Sequence, residues 1–168
     1  MLIRPIAAGD DEGGFTCGVP TLDRYLAKHA RGNHDAGIAR CYVLVDETAV
    51  PARVSSYYTL TTRTVAPTMV ASLLPGRLPT YPLSVIYIGM FAVTNTEKRR
   101  GLGTTMMRDA LERSLMAADQ VGATGVFLDS LSDDSTTFYA RLGFVPVGEP
   151  MSPQPMFLPM ATLRQVGP

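Results

Sequence analysis

The sequence predicts an α/β domain built around a mixed β-sheet, and three observations carry that prediction. Ser84 to Val93 is an almost unbroken apolar run, as a central strand covered on both faces requires. It breaks into the basic turn Lys98-Arg99-Arg100-Gly101-Leu102-Gly103, and apolar residues then recur at helical spacing at Met106, Met107, Ala110, Leu111, Leu115 and Ala118. A further apolar run, Thr124 to Leu131, follows, and the order strand, helix, strand makes it parallel to the first through a right-handed crossover.

Taken in order, Leu2 to Ile6 reads as a short edge strand, closed by Pro5 and the glycine-rich loop Gly9 to Gly14. Phe15 to Asp23 leads into a helix with Leu22, Tyr25 and Leu26 on its apolar side and Thr21 as the expected cap. Lys28, His29, Arg31 and His34 gather at the end of that helix, either as cations stabilising its C-terminus or as a partner-binding face. Arg40 to Val45 and Arg53 to Thr61 read as strands joined by an acidic turn at Asp46 and Glu47. The connector Thr62 to Pro82 is long for a compact domain and rich in proline, with a short helix expected from Met69 to Leu74. The helix after the basic turn runs from Gly103 to about Val121. Past the second central strand, Ser132 is expected to cap a helix with Asp133 and Asp134 in its first turn and Gly143 at its end. Phe144 to Val147 and Met156 to Ala161 complete the sheet.

At 168 residues the chain is expected to form a single domain, 1–168, large enough to bury a core without staples. Its formal net charge is zero, which excludes a globally basic nucleic-acid binder; any phosphate-rich partner must be held by a local patch. Only Lys28 and Lys98 of the fifteen basic residues are lysines, and arginine favours phosphate and carboxylate forks. Cys17, Cys41, His29 and His34 match neither a disulfide framework nor a zinc site, so no metal is expected and both thiols read as free. No run has the length of a signal peptide core or a membrane span, which points to a cytoplasmic protein that does not engage a membrane.

The chemistry concentrates in the basic turn. Backbone N–H groups from Arg99 to Thr104 lie ahead of the helical bonding, and the helix dipole adds partial positive charge where they point. Gly101 and Gly103 allow close approach of a bulky anion, while Lys98, Arg99 and Arg100 add full charges, so the stretch reads as a seat for a pyrophosphate-bearing cofactor. Taken alone, these residues fit a basic loop with a glycine cap equally well. The pattern is neither Gly-x-Gly-x-x-Gly nor Gly-Lys-Ser/Thr, which argues against a dinucleotide or ATP.

In combination, the Lys98 to Gly103 turn, the helix after it, the strand to Asp129 and Thr137-Phe138-Tyr139-Ala140-Arg141-Leu142-Gly143-Phe144 resemble the acetyl-CoA-binding motifs of the GNAT N-acetyltransferase superfamily. A narrower similarity covers nearly the whole chain. Phe15-x-Cys17-Gly18-x-x-x-Leu22-Asp23-x-Tyr25-Leu26, Tyr57-Tyr58-Thr59-Leu60 and Leu78-Pro79-x-Tyr81-Pro82-Leu83-Ser84-Val85-Ile86 resemble the GNAT toxins of bacterial toxin–antitoxin pairs. The resemblance implies a mixed central sheet of about six or seven strands, splayed between two parallel strands and flanked by about four helices. It also implies acetyl-CoA as cofactor, aminoacyl-tRNA acetylated on its α-amine as substrate, a block on translation, and a small antitoxin, often of ribbon-helix-helix type, as partner. A homodimer is in keeping with the family.

Residue by residue, the resemblance lays the cofactor along Phe91, Ala92 and Val93. It sets the pyrophosphate on Lys98, Arg99, Arg100, Gly101, Leu102, Gly103 and Thr104, with Ser132, Ser135 and Phe138 as further cofactor contacts. Tyr139 is then the proton donor to the leaving thiolate, with Ser135 to orient it; without the upstream turn the same tyrosine reads as a half-buried packing residue. Phe138 and Leu142 also read as core. Arg63, Arg77 and Asp129 are candidates for tRNA contact, and Asp129 equally fits a plain hydrogen-bonding role at its strand end. The chain departs from the family pattern at Lys98, where Gln or Arg is usual, at Met90 in place of an Arg, at Asp129 in place of a His and at Ser132 in place of an Asn. The changes at Met90 and Asp129 keep a second substrate class open, a small-molecule amine or a protein N-terminus.

Overall fold

A computed structural model describes residues 1–167. In chain order the elements are β1 (Leu2–Pro5), α1 (Pro20–Tyr25), α2 (Arg31–Asp35), β2 (Arg40–Asp46), β3 (Arg53–Val65), α3 (Pro67–Val70), β4 (Leu83–Val93), α4 (Leu102–Val121), β5 (Gly125–Ser130), α5 (Asp133–Arg141), β6 (Val145–Pro146), β7 (Gln154–Pro159) and α6 (Met160–Val166). The strands form one seven-stranded sheet in the order β1-β2-β3-β4-β5-β7-β6. The pairs β1–β2, β2–β3, β5–β7 and β6–β7 are antiparallel. Neighbours β4 and β5 are joined through α4, the crossover that a parallel pair needs. The fold is the α/β class with the mixed sheet that the sequence predicts.

The chain divides into two compact units, Met1–Thr61 with Ile88–Ala110, and Thr62–Tyr87 with Leu111–Pro168. In the first, Leu22, Leu26, Val43, Val45, Tyr57 and Ala92 meet in one apolar cluster. Both cysteines are buried there. Tyr57 is fully buried and its hydroxyl donates to the Leu22 carbonyl at 2.7 Å, so the polar end of a large core ring has its partner. Helix α1 begins differently from expectation: Val19 is the N-cap, without a side-chain bond, and Pro20 stands at the first helical position, where a missing N–H is harmless. Thr21 therefore lies inside the helix. The local acid that does bond backbone is Asp23, whose carboxylate accepts from the Cys17 amide at 2.8 Å and from Thr16 Oγ1 at 3.1 Å.

In the second unit Val65, Val70, Leu83, Val85, Phe127 and Phe157 form the core cluster. Strand β3 runs to Val65, past its expected end at Thr61, because Thr62, Thr64 and Val65 are β-branched and keep pairing. Arg63 thus stands on a strand, where the sequence placed it in a loop. Helix α3 starts at Pro67, two residues before the expected Met69, and passes into a 3₁₀ turn, Ala71–Leu73. The chain end is also corrected: β7 stops at Pro159 and Met160–Val166 is a helix, with Met160 and Leu163 buried one turn apart. Gly125 packs so tightly that a Cβ there would overlap the Phe157 ring and the Leu158 carbonyl.

Candidate active site

The basic turn belongs to the first unit. Strand β4 ends at Val93, and the next residues are pinned: the Thr94 amide donates to the Ser55 carbonyl at 2.9 Å and the Asn95 amide to Thr16 at 2.7 Å. A 3₁₀ turn, Asn95–Glu97, leads to Lys98 and the turn proper. Arg99 and Gly101 both adopt positive φ, 64° and 80°. For an arginine that region is uncommon, and its alternation with ordinary backbone turns successive amides into an anion-binding concavity. At Gly101 a Cβ would meet nothing within 4 Å, so glycine serves the φ angle there and not the space. The amide of Thr105 donates to the Gly101 carbonyl at 3.1 Å; the amides of Leu102, Gly103 and Thr104 lie ahead of that bond. These groups fit a pyrophosphate.

The three cations are not equivalent. Lys98 Nζ donates to the Cys17 carbonyl at 2.8 Å. Arg100 pairs with Glu97, a carboxylate only 7% exposed, whose other oxygen faces Arg53 at 3.6 Å. Arg99 makes no ion pair among the described residues, so it is the cation open to a ligand. In the sequence, the signal for this local pair is a lone acid, Glu97, beside three bases. At the end of β4 the Ala92 carbonyl accepts from the buried Ser56 hydroxyl at 2.7 Å, and the Met90 amide donates to Thr59 Oγ1 at 3.0 Å.

In the second unit α5 begins with a capping box. Ser132 Oγ accepts from the Ser135 amide at 3.2 Å, and Ser135 Oγ accepts from the Ser132 amide at 3.0 Å. The buried Ser130 hydroxyl lies 2.6 Å from Ser135 Oγ and accepts from Thr136 Oγ1 at 2.8 Å. The Ser135 hydroxyl thus belongs to this cap. The spacing Ser130, Ser132, Ser135, Thr136 is the sequence signal for this network. Tyr139 is buried, at 7% exposure, while Phe138 and Leu142, expected as core, are half-buried. Its ring meets Phe138 at 5.3 Å and Phe144 at 6.0 Å, both edge-on. Burial pushes the Tyr139 phenol well above the usual tyrosine range.

Two of the three tRNA candidates come together. Arg63 Nη1 donates to Asp129 Oδ2 at 3.1 Å, and the Tyr87 hydroxyl donates to the same oxygen at 2.8 Å. The Arg63 guanidinium lies 4.6 Å from the Tyr87 ring centre and 5.6 Å from that of Phe127. Burial, and then the bond to Asp129, raises the Tyr87 phenol to about 12. Arg77 is exposed on the connector and takes no part in this cluster. Among the described residues no group of His, Cys, Asp and Glu could hold a metal ion, and no helix is long and apolar enough to cross a membrane.

The family model for the acetyltransferase (GNAT) domain matches residues 75–162. A tRNA-acetylating toxin of Mycobacterium tuberculosis (strain ATCC 25618 / H37Rv) is 36% identical over 141 residues, which cover 84% of this chain and 82% of the relative. Among solved structures, a crystal structure of a tyrosine-to-phenylalanine mutant of KacT superposes with a TM-score of 0.88 at 27% identity, covering 98% of both chains. A mutant of the AtaT toxin bound to the C-terminus of the antitoxin AtaR and acetyl-CoA superposes with a TM-score of 0.82 at 23% identity, covering 98% of this chain and 96% of the other. The family match begins in the connector before β4 and ends in α6, so it takes in both the anion seat and the buried tyrosine: the chain belongs to the GNAT acetyltransferases.

Proposed function

We propose that this chain transfers the acetyl group of acetyl-CoA to the α-amine of aminoacyl-tRNA and acts as the toxin of a toxin–antitoxin pair. The observation that carries the reading is the similarity to a tRNA-acetylating toxin over 84% of the chain, in a chain that keeps an anion seat at the start of α4. In this reading residues 1–168 are one acetyltransferase domain working in the cytoplasm, where charged tRNA is found. Its partners are a small antitoxin of ribbon-helix-helix type and a second copy of the chain.

When bound, acetyl-CoA supplies the acetyl group as an activated thioester. The amides of Leu102, Gly103 and Thr104, with Arg99, hold its pyrophosphate, and the backbone of Phe91, Ala92 and Val93 aligns its amide arm. The acceptor amine titrates near pH 8, so an appreciable fraction is neutral and nucleophilic without a strong protein base. Tyr139 holds a proton on its hydroxyl through the physiological range, because burial disfavours the phenolate, and delivers it to the departing thiolate.

The test is purified protein incubated with total charged tRNA and acetyl-CoA, followed by nuclease digestion and mass spectrometry of the terminal aminoacyl-adenosine. Acetylated aminoacyl-adenosine from the wild type, and little from Tyr139→Phe, is the expected result. Retained acetyl-CoA binding with no acetylated species from any tRNA would remove the proposed substrate. Asp129 favours the second reading, a small amine or a protein N-terminus, since a partly exposed carboxylate suits a cationic acceptor; acetylation of such an amine in the same reaction would then be the positive result.

A further inference from the structure

We propose that Arg63 is a stacking platform for an unpaired nucleobase at the single-stranded 3′ end of the acceptor, with its plane set by Tyr87 beneath and Asp129 beside it. The inference deepens, and rests on, the reading of aminoacyl-tRNA as substrate.

The site is built by strand alternation in the second unit. Successive residues of a strand face opposite sides of the sheet, so Phe127 and Asp129 share one face of β5 while Ser130 lies on the other, where it bonds the cap of α5. Tyr87 packs against the same cluster as Leu83 and Val85, four and two residues before it on β4. Arg63, near the end of β3, reaches this face and meets all three side chains.

What distinguishes Arg63 from a surface arginine is how little of it is used and how firmly it is held. Of its five N–H donors only one bonds among the described residues, and its side chain is 47% exposed. One face of the guanidinium lies on Tyr87. Asp129 Oδ2 takes both the arginine and the tyrosine bonds, which fixes the plane at its edge. With nearly half of the side chain exposed, the plane is pre-set before any ligand arrives, so little ordering is needed on binding. Unpaired bases stack on arginine planes as they do on aromatic rings, without needing a particular sequence. The plain alternative is an arginine that merely covers Tyr87 and Phe127.

The test uses the full chain and a single-stranded RNA ending in CCA with 2-aminopurine as its terminal base. Wild type is expected to change the 2-aminopurine emission on binding. Arg63→Lys keeps the charge and loses the plane: its affinity should fall about tenfold with the same salt slope, and the emission change should vanish. Asp129→Asn, nearly isosteric, should give a smaller loss in both. Equal affinity and equal emission change in Arg63→Lys would overturn the platform, as would a steeply altered salt slope with the emission change intact. Acetylation separates the two ideas. Charged tRNA acetylated with unchanged KM by Arg63→Lys removes the platform and leaves the substrate reading. RNA stacking that depends on Arg63, in a protein that acetylates no charged tRNA, leaves the platform and removes the substrate reading.

Discussion

Lys98 Nζ donates to the backbone carbonyl of Cys17 at 2.8 Å, tying the basic turn to a segment 81 residues earlier in the chain. The amide of Cys17 donates in turn to Asp23, so this one peptide segment is held by a cation on its carbonyl and an anion on its N–H. We therefore propose that Lys98 acts chiefly on the shape of the turn, and Arg99 on its ligand. Lys98→Ala is expected to lower unfolding free energy by about 1 kcal/mol with little change in the acetyl-CoA KM. Arg99→Ala should leave stability unchanged and raise that KM about tenfold. Denaturant unfolding and steady-state kinetics check both; the opposite pattern would return Lys98 to the role of a phosphate ligand.

Replacing Tyr139 by Phe keeps the edge-on contacts with Phe138 and Phe144 and removes only the hydroxyl. Turnover should fall about 100-fold with the acetyl-CoA KM within a factor of two. Because burial raises the phenol, the wild type should also show no alkaline loss of kcat below about pH 10 from this group. A pH profile falling with a midpoint near 8 on that side would reassign the donor.

Asp10 connects stability to pH. Burial pushes its pKa up, but the two bonds from Arg4, at 2.6 and 3.0 Å, and the Ala7 amide outweigh this and hold it below the ordinary carboxylate value. A group depressed in the folded state stabilises above its unfolded pKa of about 3.9 and loses that contribution as pH falls toward the folded value. Asp10→Asn should therefore be less stable than wild type at neutral pH, with the gap closing below about pH 4. Urea unfolding across that range measures it, and a gap that stays constant down to about pH 3 would show that Asp10 acts through packing alone.

Gly125→Ala probes the junction of β5 and β7. With the Phe157 ring and the Leu158 carbonyl already in place, the added methyl forces a backbone shift costing about 3 kcal/mol, seen as a fall in Tm of roughly 6–12 °C. An unchanged Tm would mean that both the Phe157 ring and the Leu158 backbone yield freely.

The parts legible in the sequence are those whose signals are local. Ser84 to Val93, the glycine turn, the start of α4 and the Ser132 cap each follow from neighbouring residues and stand where the pattern put them. The parts that were not legible depend on partners far along the chain. Nothing near Lys98 announces Cys17, and nothing near Asp129 announces Tyr87 on another strand. Arg63 was read as a loop residue because the polar stretch Thr61 to Thr64 has no clear alternation; pairing decides it. The final helix was hidden by the apolar run Met156 to Leu158, which continues into Met160 with only Pro159 to mark the change. The full burial of Tyr139 is not legible in the helical pattern, because its contact with Phe144 lies beyond the end of α5.

The two cysteines make the first unit a clock for its own opening. Burial pushes the Cys17 thiol to about 11 and the Cys41 thiol to about 12, so neither offers appreciable thiolate at neutral pH while the core is closed. An alkylating reagent then labels only molecules in which that core has come apart, and the labelling rate follows the opening equilibrium. The second unit carries no cysteine, and its own fluctuations stay silent to the same reagent.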